Sequence, residues 1–353
     1  MRSRILARSI AIFGALALVA SACGGGGTPA TATPALSAAG SAAQTQLALV
    51  PPTKPVEFII STAPGGGSDI YARKMQSIID ALKLSPQPVT PVNKEGGSGA
   101  VAFQYVFDKK GDASEIMITL NSFFTTVIVQ SKSLPFKTTD FTPIANLALD
   151  PFYLWVNEDS PWKNAGDFIA AAKADSLVVS GTGSKQEDEA LFNRIQTVAA
   201  TKPFKFVPSA SGATVAAALA GHQGGVVATV NNPSEGKGLY LGSPRRLRPL
   251  CTFEPQTPTS SAFSGLATCK SQGLPIDDYF IVRSIMAAPG LSAGQQAFWV
   301  NVFKKVYDSE DWKKFMVDND LKPDFRSGAD FQKLIADYTK LHEDIAKQFN
   351  WIP

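Results

Sequence analysis

The stretch from Val56 to Leu82 constrains this chain most. A run Val-Glu-Phe-Ile-Ile is followed by Ser-Thr-Ala-Pro-Gly-Gly-Gly-Ser-Asp and then by Ile-Tyr-Ala-Arg-Lys-Met-Gln-Ser-Ile-Ile-Asp-Ala-Leu. The first run is short, apolar and rich in β-branched and aromatic residues, which predicts a buried strand. Ile70, Met75, Ile78, Ile79 and Leu82 recur at helical spacing and predict a helix. Between them, Gly65, Gly66 and Gly67 let the backbone turn sharply and come close to a ligand, because no Cβ intervenes. The first N–H groups of the helix carry the positive end of its dipole into that space, which suits a carboxylate or phosphate. The loop is not a Walker A loop, since no Gly-Lys-Ser/Thr follows. Ser68 and Asp69 follow the third glycine, and no later glycine completes a dinucleotide fingerprint. A plain strand-to-helix turn with Ser68 or Asp69 as N-cap is the alternative use of the same residues.

The design recurs. Pro88 to Asn93 predicts a second strand, and Ala100 to Phe107 an apolar helix after a further glycine turn. Glu115 to Leu120 predicts a third strand ending at Asn121 and Ser122. Side chains just past the carboxyl end of a parallel strand face the crevice where open α/β sheets bind ligands, so both are candidate donors. Phe123 and Phe124 beside them are expected in the core. A strand from Phe152 to Val156 is expected to cross into a second lobe. There a helix around Ala165 to Ala174 precedes a strand from Ser176 to Ser180, the turn Gly181-Thr182-Gly183-Ser184 and a helix through Ile195. The two glycine–serine turns are expected to face each other and hold the two ends of a dicarboxylate on two helix N-termini, with no arginine at either turn. Lys185 is the nearest cation and is expected to be solvated. Glu187, Asp188 and Glu189 suit the dipole of their helix and are read as structural. Ser211 opens an alanine-rich helix between strands Phe204 to Val207 and Val226 to Val230. Asn231 and Asn232 end the second of these as neutral donors and acceptors, or as a turn before Pro233.

The N-terminus reads as an export signal. Arg2, Arg4 and Arg8 precede an apolar Ile10 to Ala20 too short for a membrane span. Ala20-Ser21-Ala22-Cys23 resembles a lipobox, so Cys23 is expected to carry the lipid that anchors the protein to the membrane. Ordinary cleavage near Ala-Ser-Ala is the alternative. Residues 1–22 are thus a signal peptide, and 23–53, rich in Gly, Ala, Thr, Ser and Pro, a disordered tether. Formal net charge is +3 in 353 residues, no more than the three N-terminal arginines supply, so the remainder is formally neutral. That excludes the basic surface a nucleic-acid binder needs. Arg245, Arg246 and Arg248 form the one tight basic cluster, read as a solvated loop. Cys251 and Cys269 remain after Cys23. In an oxidising compartment they are expected to form a disulfide, the alternative being two separate buried thiols. His222 and His342 are read as surface residues, and no nucleophile elbow or metal-ligand cluster is present in the sequence.

Pro64-Gly65-Gly66-Gly67-Ser68-Asp69 after an opening strand resembles the first ligand loop of the solute-binding receptors of tripartite tricarboxylate transporters. Phe136 to Ile144, Leu247 to Cys251 and Ser271 to Pro275 resemble further ordered segments of that family. Two departures stand out: Gln186-Glu187 where the family has a Ser/Thr-His pair, and Ser209 where it has a tyrosine. The resemblance implies an α/β, two-lobed periplasmic-binding-protein-like fold of type II, each lobe a mixed sheet flanked by helices. Lobe 1 is expected over 54–152 and 282–353, and lobe 2 over 153–281. It implies an extracytoplasmic receptor, a monomer without cofactor or metal, that hands a di- or tricarboxylate or related anion to a membrane permease. The implied ligand set is Pro64 to Asp69, Asn121, Ser122, Gly181 to Ser184, Ser211, Asn231 and Asn232. A secreted enzyme acting on a carboxylate or ester, and a sensing partner of a membrane kinase, are the other readings.

Overall fold

The computed structural model describes residues 47–259 and 261–353. Cys23, the signal segment and most of the expected tether lie outside the described residues. In chain order the strands are β1 (Val56–Ile60), β2 (Val89–Asn93), β3 (Glu115–Thr119), β4 (Thr142–Asp150), β5 (Tyr153–Asn157), β6 (Val178–Thr182), β7 (Lys205–Ser209), β8 (Ala228–Asn231), β9 (Leu247–Thr252), β10 (Ile281–Ala287) and β11 (Lys322–Arg326). They form two mixed sheets, ordered β11-β4-β10-β3-β1-β2 and β7-β6-β8-β5-β9. In each, three parallel strands run together, β2-β1-β3 and β7-β6-β8. An antiparallel strand then joins beside β3 or β8. The chain order reverses around β1 and around β6, and a ligand crevice opens at the carboxyl ends of strands at such a switch point.

The helices follow from the sequence periodicity. They are α1 (Gly67–Ala81), α2 (Ala100–Phe107), α3 (Ser122–Val129), α4 (Ala165–Ala174), α5 (Glu187–Ala199), α6 (Gly212–Ala220), α7 (Pro233–Leu241), α8 (Ala293–Asp308), α9 (Glu310–Asp318) and α10 (Gly328–Gln348). β1 is apolar on both faces because both are covered. Phe58 and Ile60 meet Tyr71 and Met75 of α1 and Trp299 and Phe303 of α8. Ile59 faces the other way, against Phe103 of α2 and Phe123 of α3. Burying each such side chain contributes roughly 1.5–3 kcal/mol. A corresponding core in the second sheet gathers Leu154, Phe168, Leu191 and Val230. Cys251 and Cys269 are bonded. That cross-link closes a loop of the size worth about 3 kcal/mol in chain entropy.

The structure departs from the sequence reading in several places. Gly66, not Ser68 or Asp69, is the N-cap of α1. Gly181 and Thr182 belong to β6 and are not part of the turn. The end of the expected tether is packed: Val50 N–H donates to the Gly294 carbonyl at 3.0 Å, and Pro52 is buried. A Cβ on Gly294 would stand 2.6 Å from the Ala48 carbonyl oxygen, so the glycine admits this segment against α8. Two of the clustered arginines are tied to backbone carbonyls, Arg246 while exposed and Arg248 half-buried. Arg246 donates to the Ala220 carbonyl and Arg248 to those of Ser160 and Trp162. His342 is fully buried, stacked on Phe124 and within 3.2 Å of the Tyr279 hydroxyl. Burial pushes its pKa down to about 4. It lies on the inward face of α10, which the i, i+3, i+4 pattern through Phe331, Leu334 and Ile335 continues. His222 is exposed, as expected.

Candidate functional site

The site lies where β1, β3, β6 and β8 end, beside β4 and β10, the first-sheet strands from which the chain leaves for the second sheet and to which it returns. In the first turn Pro64 and Gly65 are exposed, and Gly65 has φ +82°, a conformation that favours glycine. Its N–H donates to Asp69 Oδ2 at 3.0 Å, while Asp69 Oδ1 accepts from Arg73 and Asn93. Burial raises the pKa of Asp69, but Arg73, the Gly65 N–H and Asn93 outweigh it, and the net shift is downward. Asp69 therefore braces the loop. Gly66 packs against Ser211, whose Cβ would lie 3.1 Å from a Cβ at Gly66. Gly67 N–H, the first of α1, donates to Glu235 Oε1 at 2.5 Å. The carboxylate at this helix N-terminus thus comes from the second sheet's own α7. A Cβ on Gly67 would stand 2.7 Å from Arg283 Nη2 and 2.8 Å from Asn232 Nδ2, so only glycine lets these groups approach.

The second turn is capped in the same manner. Thr182 N–H donates to Asp188 Oδ2 at 2.6 Å, Gly183 N–H to the Ser209 carbonyl at 2.8 Å and Lys185 N–H to Glu189 Oε2 at 2.5 Å. Ser184 meets the first lobe: its N–H donates to Ser98 Oγ at 3.3 Å, and Ser98 Oγ donates to its carbonyl at 3.2 Å. Gln186 Nε2 donates to the Ser98 carbonyl at 2.6 Å. The second turn is thus tied by hydrogen bonds to Ser98, in the glycine segment before α2, and Gly67, Ser68 and Thr182 border one small cavity.

The remaining candidates divide. Ser122 borders the cleft. Asn121 is fully buried, and its amide serves the backbone of the crossing segment, donating to the Phe280 carbonyl and accepting from Val282 N–H. Ser211 is the N-cap of α6, accepting from Thr214 N–H. Asn231 donates to the Gly212 carbonyl. Asn232 is the N-cap of α7, accepting from Glu235 N–H and from the Ser234 hydroxyl.

Sequence reading missed the charged groups. Arg283 of β10 is 1% exposed and reaches the first turn, its Nη1 donating to Ser68 Oγ at 3.2 Å. Its Nε and Nη2 donate to Asp150 Oδ2 at 2.9 and 2.6 Å, and the Tyr71 hydroxyl joins them at 2.7 Å. This ion pair links β4 and β10 beneath the cleft. Glu187 and Asp188, read as a merely structural helix start, are 1% and 3% exposed and face the cleft. Burial pushes Glu187 up to about 7, against the Ser122 N–H and Arg283. Burial also pushes Glu235 to about 7 and, with the Glu187 charge, holds Asp188 well above the carboxylate range. One signal was available: a lone arginine inside the apolar run Ile281–Ala287 has to be paired or functional when that strand is buried.

The cleft holds a cavity of about 340 Å³ bordered by Ser61, Thr62, Ser98, Ser122, Thr182 and Gln186. Thr62 and Thr182 also border a deeper cavity of about 20 Å³, walled by Glu187, Asp188, Glu235 and Arg283. Ser61 Oγ, Thr62 Oγ1 and Glu187 Oε2 are buried without a hydrogen-bond partner among the described residues. A larger groove, about 1010 Å³, lies beside Phe136 and Trp351. No parallel strand ends there, so the fold gives it no converging backbone donors. Among the described residues no group of His, Cys, Asp and Glu side chains is placed to hold a metal ion, and no helix is long and apolar enough to cross a membrane.

Comparison with known proteins agrees with this architecture. A protein of Rhodopseudomonas palustris solved with adipate, Rpa4515, superposes with a TM-score of 0.75 at 21% identity, covering 84% of this chain and 97% of that one. MatC from Rhodopseudomonas palustris, solved with bound malate, gives 0.73 at 18% identity, covering 83% and 99%. In sequence, a UPF0065 protein encoded in the gbd 5′ region of Cupriavidus necator is 26% identical over 332 residues, 90% of this chain and 94% of the relative. A UPF0065 protein of Bordetella pertussis is 32% identical over 122 residues, 35% of this chain and 37% of the relative. The model of the tripartite tricarboxylate transporter family receptor matches residues 72–351. With that match spanning most of the chain, the protein belongs to the tripartite tricarboxylate transporter receptor family, a family of solute-binding proteins.

Proposed function

We propose that this protein is an extracytoplasmic receptor that closes its two lobes, 54–152 with 282–353 and 153–281, on a small solute bearing a carboxylate and delivers it to a membrane permease. The observation that carries this reading is the cavity of about 340 Å³ between Ser61, Thr62 and residues 96–99 on one side and Thr182 and Gly183 on the other, bordered by hydroxyl groups of both lobes. Its size suits a small organic acid. The buried, unpartnered Ser61 Oγ and Thr62 Oγ1 supply donors of the kind a carboxylate needs. The adipate and malate bound by two proteins of this fold support the carboxylate class. The expected lipid at Cys23, a monomeric state and the absence of catalysis belong to the same proposal. The hydrogen bonds from Ser98 to Ser184 and from Gly67 to Glu235 must part for a solute to enter, and ligand then favours the closed state by its differential affinity.

A thermal-shift screen of the full chain against small carboxylates tests this. A solute that binds only the native state adds about 2.7 kcal/mol of stability at a hundredfold excess over Kd. The expected result is an upward shift in melting temperature with the solute recovered unchanged. A solute consumed during incubation would favour the enzyme, and no shift with any carboxylate would contradict the proposal.

A further inference from the structure

The inner end of the cleft is acidic, and this departs from a site built for anions alone. Glu187, Asp188 and Glu235 converge there beside one arginine, Arg283. Two nitrogens of that guanidinium are already committed to Asp150. Asp188 and Glu235 each accept one backbone N–H, from Thr182 and Gly67. Glu187 Oε2 is buried and has no partner among the described residues, and neither has Thr62 Oγ1, which borders the same cavity. A dianion placed here would face three carboxyls, and its acceptor-only oxygens could give no hydrogen bond to Glu187 Oε2. A protonated nitrogen would instead donate to Glu187 Oε2 and be neutralised by its neighbours. Among the described residues no group of three or more His, Cys, Asp or Glu side chains is placed to hold a metal ion, which favours an organic cation. The outer end differs. It is bordered by the hydroxyls of Ser61, Ser122 and Thr182 and by glycine backbone, with Glu95 exposed at its rim. Neutral donors of that kind accept a carboxylate.

The geometry points to a bipolar solute: a carboxylate held at the outer end among Ser61, Thr62 and Ser122, and an ammonium group, which is no larger than the water-sized inner cavity, held at the inner end by Glu187, Asp188 and Glu235. The inference rests on the receptor function proposed above and names the solute class within it. Calorimetric titration of the full chain at pH 7.5 with glutarate, L-glutamate and 4-aminobutyrate tests it, since L-glutamate adds an ammonium group to glutarate and 4-aminobutyrate carries one in place of a carboxylate. The expected result is that at least one amino acid binds tenfold or more tightly than glutarate. Glu187→Gln should then reduce that preference at least tenfold. Glu235→Gln, read alongside it, guards against a folding defect in the first variant, and the melting temperature of each is recorded. Glutarate binding as tightly as both amino acids, or an unchanged preference in both variants, would overturn the inference and leave the receptor standing. Silence with all three probes would overturn the inference together with the receptor reading.

Discussion

Glu187 and Glu235 give the cleft a pH dependence whose sign is fixed by burial. Burial pushes both carboxyls up to about 7, so the folded chain holds protons that the unfolded chain has released at those positions. Asp188 and Asp150 are shifted the same way, also chiefly by burial, while Arg283 facing them opposes it at Asp150, Glu187 and Glu235. A raised carboxyl pKa contributes stability at acid pH and loses it as pH rises through the folded value. His342, pushed down to about 4, acts in the opposite direction, costing stability as pH falls below the ordinary histidine value. Several carboxyls outweigh one imidazole between those limits. The melting temperature of the unliganded full chain should therefore fall from pH 5 to pH 7, and Glu187→Gln should flatten that slope. A rising melting temperature over this range would show that these carboxyls are solvated. Asp150 makes a second prediction. Asp150→Ala would leave the Arg283 guanidinium buried beside Ser68 without its partner, a change that typically costs about 3–5 kcal/mol. Urea unfolding measures it, and a loss below ~1 kcal/mol would mean that water reaches the arginine.

At the scale of elements, the turn before α1 is one place where the two halves touch, through Gly67 and Glu235. Gly67→Ala would push a methyl between the Arg283 guanidinium and the Asn232 amide, both held by other hydrogen bonds. We expect the variant to fold with little change in circular dichroism and to lose at least tenfold in solute affinity, because the lobes can no longer meet at that turn. Equal affinity would mean that the contact with α7 is dispensable. The strand–turn–helix units were legible in the sequence because their signals are local. β-Branched runs end at Ile60 and Val179 with a glycine turn close behind each, and apolar residues recur at helical spacing in α1 and α5. The opening of each helix was harder to place. Glu187, Asp188 and Glu235 look like ordinary acidic first turns, and the contacts that enclose them come from residues distant in sequence, such as Gly67 on Glu235 and Arg283 beside the same cavity. Arg283 is 215 residues from the serine it touches, a distance over which local pattern carries no information. β4 went unread as a strand because Thr142 to Asp150 mixes polar residues whose partners, Ser284 and Asp324, lie far along the chain.

For the whole molecule, two sheets of like construction are joined where the chain leaves β4 for β5 and returns to β10, which fits a hinge with a cleft at the strand ends. The hydrogen bonds among Ser98, Ser184 and Gln186 and between Gly67 and Glu235 hold the cleft shut in this conformation. Few in number and lying at a border with solvent, they represent a modest barrier, and a solute bridging both walls adds to what they hold. Small-angle X-ray scattering of the full chain, titrated with the solute that gives the largest thermal shift, follows the motion itself. The account predicts a radius of gyration that falls with solute and saturates at the same concentration as binding. A solute that binds at full occupancy while the radius of gyration stays constant would contradict closure of the two lobes on their ligand.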